Sequence, residues 1–92
     1  MAIVAAERRL LGIGRNRAEQ EFEKMYRRYA EEVFRYALLV LRSRPDAEDV
    51  TQATFVRAYR ALRKGERVRK PHNWLIAIAH NVPRQSHRLG AN

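Results

Sequence analysis

Between Phe22 and Leu41 the apolar residues fall at Phe22, Met25, Tyr26, Tyr29, Val33, Phe34, Ala37, Leu38, Val40 and Leu41. Steps of three and four gather them on one side of an α-helix. The other side carries Glu21, Lys24, Arg27, Arg28, Glu31, Glu32 and Arg35. Glu23–Arg27 and Glu31–Arg35 stand at the favourable i,i+4 spacing, and Lys24–Arg28 at the same spacing is mildly repulsive. Asn16 followed by Glu19 has the spacing of a capping box, so a helix is predicted over 17–42.

A second stripe runs through Ala47, Val50, Ala53 or Thr54, Ala58 and Leu62, with Phe55 and Tyr59 beside it, and predicts a helix over 46–64. Asp46, Glu48 and Asp49 then crowd its first turn and Arg57, Arg60, Arg63 and Lys64 its last turns, as the helix dipole favours. Pro45 and Gly65 bracket it. A third helix is predicted over 71–82, begun by Pro71 or capped by Asn73. Its Trp74-Leu-Ile-Ala-Ile-Ala79 run is apolar on all sides, which predicts a helix nearly enclosed by the other two. Pro83 stops or kinks it near Asn81.

The short turn Arg42–Pro45 makes the first two helices an antiparallel hairpin. The expected fold is therefore all-α, a compact bundle of three main helices, with space for a short fourth among Ile3–Ala6 and Leu10–Ile13. Residues 1–16 read as an N-terminal arm, 17–88 as the helical domain and 89–92 as a tail. Phe22, Tyr26, Val33, Leu38, Val50, Phe55, Leu62, Trp74, Leu75 and Ile78 are the expected core.

Charge changes the picture more than composition does. Residues 1–56 hold ten Lys or Arg against nine Asp or Glu, whereas residues 57–92 hold nine against Glu66 alone. An excess confined to one region is what a polyanion-binding surface needs. The chain has no cysteine, so it has neither disulfides nor thiolate ligands. The apolar start breaks at Glu7-Arg8-Arg9, too short for a signal core or a membrane span, and a soluble cytoplasmic protein without membrane contact is expected.

No catalytic constellation stands out, and an enzyme is not expected. His72, His80 and His87 are eight and seven residues apart, about 10–12 Å on a helix, too far to share one metal ion. Asp46, Glu48 and Asp49 lack the spaced oxygens and glycine of a calcium loop. Phosphate-cradling glycine motifs are absent from the sequence, so neither a metal nor a cofactor is expected.

Three segments, Asp46-Ala-Glu-Asp-Val-Thr-Gln52, Phe55-Val-Arg-Ala-Tyr59 and Trp74-Leu-Ile-Ala-Ile-Ala-His-Asn81, follow an opening with Phe22, Tyr26, Arg27, Arg28 and Tyr29. In that order and spacing they resemble region 2 of bacterial extracytoplasmic-function sigma factors, of the sigma-70 family, from Phe22 to Arg88. The resemblance implies docking on the β′ clamp helices of core RNA polymerase through Glu48, Asp49 and Gln52. It also implies recognition and melting of the minus-ten promoter element, with the non-template strand held single-stranded. The loop Lys64 to His72 would serve there, through Lys64, Arg67, Arg69, Lys70 and His72, together with Asn81, Arg84, Gln85 and Arg88. An anti-sigma protein covering these surfaces is a further partner the resemblance implies.

The sequence departs from the family in having Ala53 where an acidic residue is usual and Pro83 within the last helix. The family's second domain, which binds the minus-thirty-five element, is not in this sequence. Two other readings suit the same residues: a small basic helical protein that binds nucleic acid without polymerase, and a helical module whose basic end meets an acidic protein.

Overall fold

Asn16 starts the first helix by accepting the Glu19 backbone N–H on its Oδ1 at 2.8 Å. Only this half of the capping box forms, and the buried Glu19 Oε1 has no hydrogen-bond partner. A computed structural model describes residues 16–83, which hold three helices: α1 (Arg17–Leu41), α2 (Arg44–Arg63) and α3 (Pro71–Asn81). The arm, the tail and the expected fourth helix lie outside the described residues, as do Arg84, Gln85, Arg88 and His87. No helix among the described residues is long and apolar enough to cross a membrane.

Helix α1 ends where Arg42 takes the left-handed conformation (φ 56°, ψ 33°) and donates its N–H to the Leu38 carbonyl at 2.8 Å. Ser43 then caps α2, accepting the Asp46 N–H on Oγ. This start is two residues earlier than the sequence predicts, because Pro45 fits inside the first turn, where its missing N–H costs nothing. Only Asp46 therefore lies in the first turn, and Glu48 and Asp49 sit beyond it.

The hairpin core is built from small residues on one helix and aromatic ones at its open end. Ala47, Val50, Thr51, Thr54, Phe55, Ala58 and Leu62 form the buried face of α2. Thr54, rather than Ala53, is the fully buried member of the stripe. Thr51 and Thr54 each return their hydroxyl to the carbonyl four residues back, at 2.7 Å, so neither leaves a polar group unpaired in the seam. Phe22 meets Phe55 and Tyr59 edge-on at 6.2 and 5.2 Å, and Tyr26 meets Phe55 at 5.0 Å. These distances and tilts are those at which aromatic quadrupoles attract.

Helix α3 lies on this hairpin by one side only. Leu75 and Ala79 are buried, Trp74, Ile76 and Ile78 are half-buried, and Ala77 faces solvent. The expected enclosure on all sides does not occur, because the other two helices offer a single groove and α3 has no third neighbour among the described residues. The helix stops at Asn81, and Val82 turns to extended backbone (φ −68°, ψ 132°) ahead of Pro83 while burying its own side chain. Val40 also departs from expectation: it is 45% exposed and Leu39 beside it 73%.

Leu75 is fully buried, so Leu75→Ala is expected to destabilise the protein by about 2–5 kcal/mol, the usual cost of such a cavity. Tyr26 should respond in the opposite sense. Its hydroxyl is buried without a partner, and burial raises its pKa above the ordinary tyrosine value. Tyr26→Phe keeps the ring contacts and removes an unpaired polar group, and is expected to stabilise by about 1 kcal/mol. Thermal or urea unfolding of the two variants checks both signs.

Candidate functional site

The loop between α2 and α3 is fastened at its start by a Schellman motif. Gly65 adopts φ 96°, its N–H reaches the Leu62 carbonyl at 3.0 Å and the Glu66 N–H reaches the Ala61 carbonyl at 3.1 Å. A side chain at residue 65 would meet no steric neighbour, so the requirement for glycine there is conformational. In mid-loop Val68 tucks against the core while Arg67, Arg69 and Lys70 stay exposed. At the far end α3 begins at Pro71 with no side-chain cap; Asn73 does not supply one.

Ion pairing sharpens the charge asymmetry. Arg17, Arg27, Arg35 and Arg44 each lie within 4 Å of a glutamate four residues away. From Arg57 to Lys70 the cations Arg57, Arg60, Arg63, Lys64, Arg67, Arg69 and Lys70 have no carboxylate partner among the described residues; Arg63 rests instead on Tyr59. Lys24, Arg28 and Arg42 lack one too, but only the set from the end of α2 through the loop is concentrated in one region. That set is a region of uncompensated positive charge, suited to a chain of phosphates.

Of the clefts that adjoin it, two share Trp74 as a wall. One, of about 550 Å³, is lined by Arg67, Val68, Arg69, Lys70 and Asn73. The other, of about 440 Å³, brings Asn81 together with Glu66 of the loop and Arg57 of α2. Trp74, expected in the core, is therefore half core and half cleft wall. Asn81 is exposed and donates Nδ2–H to the Ala77 carbonyl at 2.9 Å. His72, at the end of the basic loop, is also joined to α1: its Nε2 lies 2.9 Å from Glu32 Oε1 and its ring 5.8 Å from that of Tyr29.

At the other end of α2, Asp49 and Gln52 are exposed and have no partner among the described residues, and Glu48 reaches Arg44 at 3.9 Å. Since Ser43 does the capping, these polar groups are free to face another molecule. The turn at Arg42 and Ser43 sets exposed Leu39 and Val40 at the same end of the hairpin. Sequence periodicity missed this apolar pair because both residues lie within an otherwise buried run.

Residues 25–89 match the family model described as Sigma-70 region 2. Comparison with curated proteins found no match, and neither did comparison with solved structures.

The difference between partnered and unpartnered cations makes a direct prediction. Arg67→Ala and Arg69→Ala should each weaken binding of a single-stranded oligonucleotide and flatten the log–log salt dependence by at most about 0.7. Arg35→Ala, which removes a cation already facing Glu31, should leave both unchanged. Fluorescence anisotropy across a salt series measures the slopes.

Proposed function

Because the chain belongs to the sigma-70 region 2 family, we propose that it is the region 2 domain of an extracytoplasmic-function sigma factor and acts in promoter opening. Region 2 domains of this family bind core RNA polymerase and recognise promoter DNA, work of recognition that makes and breaks no covalent bond. In the finer reading, Glu48, Asp49 and Gln52 dock on the β′ clamp helices, with Leu39 and Val40 adding apolar contact. Lys64, Arg67, Arg69 and Lys70 hold the phosphates of the displaced non-template strand, continued by Arg84, Gln85 and Arg88. Asn81 reads a base of the minus-ten element: with one N–H committed to Ala77, its Oδ1 and second N–H remain for a base edge. Trp74, the wall common to both clefts, stacks on a base that has left the duplex. Both partners put this work in the cytoplasm.

The observation that carries the reading is the division of α2 into two functional ends. Asp49 and Lys64 are fifteen residues apart, about 22 Å along a helix axis. The free acidic and amide groups lie at one end and the unpaired cations at the other, so one rigid element can hold polymerase and DNA without their surfaces overlapping.

Asp49→Arg combined with Gln52→Ala should abolish or strongly weaken binding to core polymerase while the circular dichroism spectrum stays helical. Wild-type affinity in that variant would sink the docking assignment. Asn81→Ala, assayed with core polymerase, should narrow the preference for a minus-ten strand over a scrambled one and leave the salt slope unchanged. If the preference survives, Asn81 serves only its own helix.

A further inference from the structure

Helix α3 carries two histidines, and each is engaged by α1. His72 Nε2 lies 2.9 Å from Glu32 Oε1 at the start of α3, and His80 Nδ1 lies 3.0 Å from the Tyr36 hydroxyl near its end. Glu32 and Tyr36 stand at i,i+4 on α1, so one face of that helix supplies both ties. Each tie adjoins a feature already assigned to DNA: His72 follows the last loop cation, Lys70, by two residues, and His80 precedes Asn81. The first turn of α3 has no side-chain cap of its own, so the Glu32–His72 contact fastens an end that the helix leaves unsecured.

We propose that Glu32 and Tyr36 are positioning residues for promoter-strand recognition, and that His72 and His80 are their anchors on α3 rather than contacts to DNA. This rests on the reading given under Proposed function. The clasp lies across the α1–α3 seam. Leu75, Ala79 and Val82 seat α3 on the hairpin through apolar contacts, whose attraction is itself non-directional. Two polar contacts, eight residues apart on α3, add a directional restraint. The first holds the outgoing end of the basic loop in register with the Schellman motif that fixes its start. The second holds the helix turn bearing Asn81.

Electrostatics alone predicts the opposite effect for Glu32. A carboxylate near a basic DNA-binding face repels phosphate, so its removal should tighten binding if it served no positioning role. The sign of the change therefore decides. Both partners of the first tie are about half exposed, and such surface pairs contribute little to folding, so the variants are expected to remain folded.

The test is a double-mutant cycle on the full chain bound to core polymerase, reading affinity for a minus-ten non-template strand. Glu32→Ala and His72→Ala should each weaken it by roughly three- to fivefold, and the double variant should be no worse than either, the non-additivity of one shared interaction. Glu32→Gln, which still accepts the His72 N–H, should restore most of the loss. Tyr36→Phe should narrow the ratio of minus-ten to scrambled strand by a similar factor. Unchanged or tighter binding in Glu32→Ala, with a loss in His72→Ala, would make His72 a DNA contact and overturn the clasp. An unchanged ratio in Tyr36→Phe would remove the second tie. Failure of the unmodified chain to bind the strand with polymerase would count against the proposed function itself, an outcome distinct from these.

Discussion

The close approach of α1 and α2 is the constraint on which the rest of the structure depends. Ala47, Thr51, Thr54 and Ala58, all small or medium-sized, form the middle of the buried face of α2, and Val33 and Ala37 of α1 are buried in the same core. The threonines are tolerated because each hydroxyl is satisfied by its own helix. At the open end Phe22, Tyr26, Phe55 and Tyr59 fill the wider space with edge-on rings. Only when this hairpin is rigid is there a groove for Leu75 and Ala79, and only then does the loop between α2 and α3 have a defined span.

That geometry gives charge its meaning. Arginines on α1 and at the start of α2 are largely neutralised by glutamates one turn away, at distances the helix itself sets. The cations of the last turns of α2 and of the loop have no such neighbours among the described residues, since Glu66 is the single carboxylate in the sequence from residue 57 onward. Fixing Gly65 at the start of the loop, Val68 in its middle and His72 beyond its end holds Arg67, Arg69 and Lys70 outward. A basic loop anchored at three points costs less ordering entropy on binding a strand than a free one would. Ser43 has a parallel role at the other end: by capping α2 it leaves Asp49 and Gln52 uncommitted.

Much of this was legible in the sequence. Helical periodicity set the three elements, Gly65 and Pro83 set two of their ends, and the excess of cations after residue 56 marked the basic end. These are local properties: a spacing of three or four, a glycine that tolerates positive φ and a proline without an N–H act within a few residues of themselves. Pro45 misled for a related reason, since the same residue suits the position before a helix and its first turn alike. What tertiary structure alone decided was the fate of side chains whose partners are distant in sequence. Trp74 and Leu75 belong to one apolar run, yet one lines two clefts and the other is fully buried. His72 reads as the end of the basic loop and His80 as one residue of an apolar run until α1 brings up Glu32 and Tyr36, 40 and 44 residues away. Composition and spacing say what a residue can bind. Which neighbour it meets is set by how α3 settles on the hairpin, and no pattern along the chain encodes that angle.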